Sequence, residues 1–391
     1  MRTERLIREW ETIISKAVER GEAAGVGLLC IRDGEEVCWI GRGYADRERE
    51  RRIGRDTIFR LYSMTKPVTA AAAMLLIEEG RLKPDASVGD YLPEFRCPKV
   101  WCGDKLIQAK RPVWISDLLS MTSGLSYGDH DTVTETATRK LFREIEESLF
   151  TEQPMTTREV AARAGGIPLL FQPGTSWKYG ISADILGAVI EAAAGMSFGE
   201  FLRKRIFEPL GMEDTDFYVP EHKQERLAKA YERDSDGRNL PYTGNFLGIR
   251  NQMDRKAAYE SGGAGLVSTA EDYARFAGML LKKGEYQGMR LLKEASVERM
   301  LGGVLTACQQ EAFENWFGQK GYDYGFLMRR LREPSSASMP GLKGEYCWDG
   351  WLGCSFWNYP KEKMTLILMQ QQLNGGDMVF QIKNAFVKQM R

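Results

Sequence analysis

"RLYSMTKPVTAAAAMLLIEEG", residues 60–80, decides how the rest of the chain is read. Its spacing predicts a helix that opens near Ser63 and runs through a long apolar body. Lys66 falls in the first turn, where the helix end is positive and a cation is unwelcome. A serine at a helix start is normally followed three residues on by Glu or Gln, and here that residue is a lysine. Pro67 is tolerated because first-turn amides have no intrahelical acceptor to lose. Residues three apart on a helix share a face, with Cβ atoms ~5–6 Å apart, so Lys66 can reach the Ser63 hydroxyl. The body "VTAAAAMLLI" implies a buried helix whose first turn lines a cleft. Burial and the positive helix end both lower a lysine's pKa. A neutral amine beside a serine is a general base, and this S-x-x-K is the only one in the chain.

Two other serines sit in G-x-S-x-G patterns, "GLSYG" at 124–128 and "GMSFG" at 195–199. A nucleophile elbow needs a strand turning sharply into a helix. Both stretches instead follow helical spacing, so Gly124 and Gly195 read as C-terminal helix caps. The elbow also needs a histidine base downstream. Only His222 could serve, and "VPEHKQER" reads as surface.

Composition narrows the function classes. The chain has 391 residues, 43% hydrophobic and 28% charged, which suits a large core divided between two lobes. Lys plus Arg and Asp plus Glu are both 54, so charge gives no reason to expect nucleic acid or an anionic membrane as partner. The longest apolar run, "AAAAMLLI", is far too short to span a bilayer. The start, "MRTERLIREWETIISKAVERG", lacks the apolar centre of a signal peptide and reads as an amphipathic surface helix with Leu6, Ile7, Trp10, Ile13, Ile14 and Ala17 on one stripe. Seven cysteines without a secretory signal point to reduced thiols and a cytoplasmic location. Cysteine spacing and two histidines, His130 and His222, make a metal site improbable, and no cofactor is expected.

After the first helix, "GVGLLCIRDGEEVCWIGRGYA" is a hairpin turning at Asp33-Gly34. Helices follow in "PVWISDLLSMTSG", "SADILGAVIEAAAG", "SFGEFLRKRIFEPLG" and "TAEDYARFAGMLLKKG", each ending at Gly or Pro. The stretch 132–150 reads as a charged helix with a solvated face, and "ERDSDGRNLPYTGNF" as a long surface loop. Strand character returns only near the end, in "EYCWDGWLGCSFWNYP" and "KMTLILMQQQ", before a closing helix "DMVFQIKNAFVKQM". Strands at both ends must meet to satisfy their backbone groups, which predicts an α/β fold with one antiparallel sheet built from both termini.

"SMTK" before an alanine-rich helix resembles the S-x-x-K signature of serine β-lactamases and penicillin-binding proteins. "YLPEF", "LLSMTSGL", "FQPGTSWKYG", "ISADILGAVIEAAAGMSF", "IFEPLGMEDTDFY", "GGAGLVSTAEDYARFAGMLL" and "YDYGF" extend the likeness, in family order, to the class C β-lactamase superfamily over about residues 58–370. The resemblance implies the β-lactamase/DD-peptidase fold: an α/β lobe from 1–80 and 262–391, a mostly helical lobe from 81–261, and the active site between them. It implies Ser63 as acylated nucleophile, Lys66 as its base and Tyr179 as the tyrosine of a Y-x-N motif. Ile181 stands where lactamases and D-peptidases have asparagine. The K-T-G or H-x-G motif falls on Trp348, Asp349 and Gly350, with tryptophan in place of the cation. That opening tryptophan resembles the family VIII carboxylesterases, which usually read W-G-G, so Asp349 departs from their pattern and adds an acid at the pocket rim.

The expected reaction is therefore hydrolysis of a small carboxylic ester through an acyl-enzyme on Ser63. Lys66 takes the serine proton with help from the Tyr179 oxygen, and the backbone amides of Ser63 and Trp351 hold the oxyanion. Trp348, Asp349, Gly350 and Tyr127 are the expected substrate-binding residues. The only partner expected is a small ester or amide, and oligomeric state is left open. A β-lactamase, a D-amino-acid peptidase or amidase, or an acyltransferase of the same fold stays open, as does a catalytically silent ligand-binding protein.

Overall fold

The computed structural model describes residues 2–390. Its central sheet has eight strands: β1 Gly25–Arg32, β2 Glu35–Asp46, β3 Arg51–Arg52, β4 Tyr322–Tyr324, β5 Arg329–Leu331, β6 Tyr346–Asp349, β7 Ser355–Tyr359 and β8 Met364–Gln370. They are antiparallel in the order β4-β5-β6-β7-β8-β1-β2-β3. The two chain ends meet where β1 pairs with β8, with Leu28 opposite Leu368. The hairpin at Asp33-Gly34 forms as expected, with φ +54° and +92° at its two central residues. Both values are positive, which a two-residue turn of this twist requires.

Among the described residues there are six long helices: α1 Arg2–Glu19, α2 Thr65–Glu78, α3 Val133–Ser148, α4 Ser182–Ala194, α5 Ala270–Leu281 and α6 Met378–Met390. On β7, Phe356 and Tyr359 point to opposite faces, because side chains alternate along a strand. Phe356 meets Tyr273 of α5 with ring centroids 5.4 Å apart, and Tyr359 meets Phe386 of α6 at 4.4 Å. The sheet therefore lies between α5 on one side and the α1–α6 pair on the other. Trp10 of α1 stacks on Phe386 and donates its Nε1 hydrogen to the Ile382 carbonyl at 3.1 Å. Covering on both faces explains why every residue of β8 is buried. The helix α2 is apolar on all sides and buried throughout its first twelve residues, Thr65 to Leu76, where it packs on α4.

Three sequence expectations need correction. The stretch 112–124 holds only a short helix, Ile115–Leu119, so Gly124 caps no helix. The Asp117 carboxylate there accepts from Arg111, from the Trp114 amide at 2.8 Å and from the Thr122 hydroxyl at 3.0 Å, competing with a longer helical ladder. Gly195 does end α4, in the left-handed conformation at φ +68°. The expected long loop contains strands Tyr231–Arg233 and Asn239–Pro241, and the first also pairs in parallel with Gln372–Leu373. Strand structure also appears well before the chain end, in β4, β5 and the hairpin Lys99–Cys102 with Lys105–Gln108. The stretch read as a charged amphipathic helix is α3, which buries Thr134, Glu135, Thr138, Leu141, Phe142 and Ile145 on one stripe and exposes Val133, Thr136, Lys140, Arg143 and Glu147 on the other, as expected.

Candidate active site

Ser63 lies in a 3₁₀ turn, Tyr62–Met64, that leads directly into α2. Three hydrogen bonds stitch this turn to Leu266 and to α5. The Leu61 amide donates to the Leu266 carbonyl at 2.9 Å, the Leu266 amide to Thr65 Oγ1 at 3.1 Å, and the Tyr273 hydroxyl to the Met64 carbonyl at 2.9 Å. Tyr62 is held at φ +45°, a strained conformation for a residue with a side chain. Its ring is locked beside Trp351 at 5.1 Å. The end of β6 abuts the same turn, and Gly350 makes this possible. A Cβ on Gly350 would stand 2.1 Å from the Leu61 carbonyl oxygen.

The Lys66 amine is fully buried and has three neighbours: Ser63 Oγ at 3.1 Å, the Tyr127 hydroxyl at 3.1 Å and the Gly263 carbonyl at 2.8 Å. Burial lowers its pKa to about 7, against the pull of Asp184 and Asp349, which favour the charged form. The neighbours matter for direction as well as charge. The Gly263 carbonyl can only accept. The Tyr127 hydroxyl lies 3.3 Å from Asp184 Oδ2, to which it donates, so towards Lys66 its oxygen accepts. Burial, with Asp184 beside it, raises the Tyr127 pKa well above its usual value and keeps that hydrogen in place. A neutral amine has two hydrogens and one lone pair. With both hydrogens engaged, the lone pair is left facing Ser63 Oγ.

Asp184 is the anchor of this arrangement. Besides Tyr127 it accepts from Tyr259 at 2.8 Å, from the Gly263 amide at 3.1 Å and from the Ser261 hydroxyl. Tyr179 lies on the other side of the amine, its ring centroid 4.6 Å from Lys66 Nζ. Burial raises its phenol pKa, with the Ser63 and Trp348 side chains pulling in the opposite sense. At neutral pH Tyr179 is a phenol with a hydrogen to give. A protonated Lys66 would face the rings of Tyr179 and Tyr127, which favour a cation.

Two aromatic groups flank this centre. Tyr179 packs on Trp316 at 4.5 Å and Trp348 at 5.8 Å, and the two indoles lie nearly parallel. Across the Ser63 turn, Trp351 stacks on Phe246 at 4.1 Å, with Tyr242 at its edge. Among the described residues the Trp351 amide, in the turn after β6, donates to no acceptor of the chain. The structure thus brings together Ser63, Lys66, Tyr179 and Tyr127, with Trp348 behind Tyr179 and Gly350 against the turn. Asp349 is half-exposed at the edge and pairs with Arg329. Tyr127, expected to line the substrate pocket, touches the Lys66 amine instead. Ile181 is buried at the start of α4.

Sequence reasoning missed Asp184, Gly263, Trp316 and Arg329. Asp184 carried a signal: it is the sole acid in the apolar stretch "SADILGAVI". The others carried none, because strand pairing and loop packing bring them to the site.

The family model described as Beta-lactamase matches residues 10–387. The chain is 30% identical to Esterase EstB of Burkholderia gladioli over 357 residues, covering 88% of this chain and 85% of that protein. It is 28% identical to the lovastatin esterase of Penicillium rubens over 362 residues, covering 88% and 84% respectively. Among solved structures, EstCE1, described as a hydrolase with promiscuous acyltransferase activity, superposes with a TM-score of 0.84 at 27% identity, covering 98% of this chain and 99% of that one. The sheet joined from both chain ends, the buried lysine one turn after a serine and this near-complete match converge: the protein belongs to the β-lactamase family and is a serine hydrolase of that fold.

Proposed function

We propose that the protein is a carboxylesterase that cleaves small esters through an acyl-enzyme on Ser63, with Lys66 as general base. The observation that carries this reading is the buried Lys66 amine 3.1 Å from Ser63 Oγ, its pKa lowered to about 7 so that a large fraction is neutral near pH 7, with its lone pair directed at that oxygen. In the first step the Ser63 oxygen bonds to the ester carbonyl carbon and its proton passes to Lys66. The oxyanion is received by the amides of Ser63 and Trp351, preformed donors that typically contribute ~3–4 kcal/mol each. As the tetrahedral intermediate collapses, the carbon–oxygen bond to the alcohol breaks. Tyr179 gives its proton to the departing alkoxide and regains one from Lys66. Water then attacks the acyl carbon and loses a proton to Lys66, and as the bond from that carbon to Ser63 Oγ breaks, Lys66 returns the proton to Oγ, releasing the acid and restoring the free enzyme.

Esters suit this site better than amides, because an alkoxide leaves more readily than an amine. Ile181 and Trp348 supply neither the amide contact nor the cation that β-lactam and peptide substrates use in the related enzymes. Similarity to EstB and to the lovastatin esterase supports the same choice. The test is turnover of p-nitrophenyl acetate and butyrate by folded Ser63→Ala and Lys66→Ala. Both should fall by at least ~10³-fold, and full activity in either rejects the mechanism. Nitrocefin turning over faster than these esters would move the assignment to a β-lactamase. Similarity to EstCE1 favours a second outcome at the same centre, transfer of the acyl group to an alcohol in place of water. Ester formation from vinyl butyrate and added butanol tests it.

A further inference from the structure

We propose that Asp349 determines the charge preference of the site, by neutralising Arg329 so that uncharged esters are accepted over anionic ones. The inference rests on the ester reading above and adds the class of ester. Arg329 comes from β5, where it stands opposite Cys347 of β6. Its side chain is 14% exposed, and its guanidinium carbon lies 5.1 Å from the centre of the Trp348 ring, the same ring that backs Tyr179. A permanent cation thus reaches the wall of the active site from the neighbouring strand.

Among the described residues its only carboxylate partner is Asp349, and its Nε carries a buried hydrogen with no acceptor. Asp349 is 48% exposed, so this carboxylate meets both the guanidinium and the solvent at the cleft edge. It lies between Trp348, whose ring backs Tyr179, and Gly350, which abuts the turn that carries Ser63, and its charge favours the protonated form of both Lys66 and Tyr179. With Asp349 in place the pair has no net charge, and an incoming carboxylate finds its cation already occupied. Without Asp349, the guanidinium would keep its charge against the Trp348 ring with its carboxylate-binding fork unoccupied.

The two halves of the pair predict opposite changes, which separates charge from general damage. Phenyl acetate, 4-acetoxybenzoate and 4-(trimethylammonio)phenyl acetate form a neutral, anionic and cationic series on one framework. The readout is the ratio of kcat/KM for each charged ester to that for phenyl acetate, measured at one pH. A shift in Lys66 or a general loss of activity cancels in that ratio. Asp349→Asn should raise the anionic ratio at least tenfold. Arg329→Met, which leaves the carboxylate uncompensated, should lower the anionic ratio and raise the cationic one. Anionic and cationic ratios unmoved in both variants, with phenyl acetate still cleaved, overturn this inference alone. Failure of the unaltered enzyme to cleave phenyl acetate overturns it together with the ester reading.

Discussion

Tyr127 donates its hydroxyl hydrogen to Asp184 across 3.3 Å, and this bond fixes which way the Lys66 amine faces. Tyr127→Phe removes the acceptor for one Lys66 hydrogen and frees the amine to rotate away from Ser63. The expected result is a loss of kcat on p-nitrophenyl butyrate of roughly 10–100-fold with little change in KM, as for a lost positioning contact. Asp184→Asn acts through charge as well. Asp184 holds the Lys66 pKa up, so its neutralisation should move the rising limb of the pH–rate profile to lower pH. A limb that stays in place or moves up in this variant contradicts the assignment.

The same amine predicts the pH dependence of the unaltered enzyme. Lys66 acts when neutral, so kcat/KM should rise with pH through about 7 and level off above it. Its folded pKa lies below the ordinary 10.5, so the unfolded chain binds more protons between those values and stability climbs with pH across that window. Below pH 7 the whole cost of burying the amine is present. Lys66→Met, lacking a charge to bury, should therefore be inactive yet more stable than the native protein by about 1–2 kcal/mol at pH 6. The difference should shrink towards pH 10. Urea denaturation at the two pH values measures it, and a gap that widens with pH would be the wrong sign.

Tyr179→Phe distinguishes a proton donor from a second base. Burial keeps the Tyr179 phenol protonated, so its part is to protonate the leaving alkoxide. p-Nitrophenolate leaves without help, whereas ethoxide does not. The variant should lose roughly 10²-fold on ethyl butyrate and much less on p-nitrophenyl butyrate. Equal losses on both esters would place Tyr179 in the attack step instead.

Much of this site was legible in the chain because it is local. Ser63 and Lys66 are three residues apart on one helix, and a charge where the dipole opposes it is visible without a structure. Trp10, Ile14 and the β1–β2 hairpin were legible for the same reason, since period and turn chemistry are short-range. The contact of Tyr127 with Lys66 was not legible, because its partner Asp184 is 57 residues away and its surroundings only looked like a helix end. Arg329 was invisible because β5 has three residues, too few to alternate, and only pairing with β6 brings it to Trp348. What short-range pattern cannot convey is which distant elements share a wall.

The buried pair of Lys383 and Glu345 extends that point to stability. The Lys383 amine of α6 lies 2.5 Å from Glu345 Oε1, the two side chains 1% and 0% exposed, and the pair ties α6 to the start of β6. Glu345 also accepts the Leu342 amide at 3.0 Å, which fixes the turn into the strand that carries Trp348 and Gly350. Lys383→Met leaves a carboxylate buried without its cation, a loss of about 3–5 kcal/mol in related cases. Replacing both residues, as Lys383→Met with Glu345→Leu, should recover most of the loss, because no charge remains to be desolvated. Urea unfolding of the native protein and the two variants decides the matter. A double variant less stable than Lys383→Met alone would mean that the pair stabilises the fold by more than the cost of burying its charges.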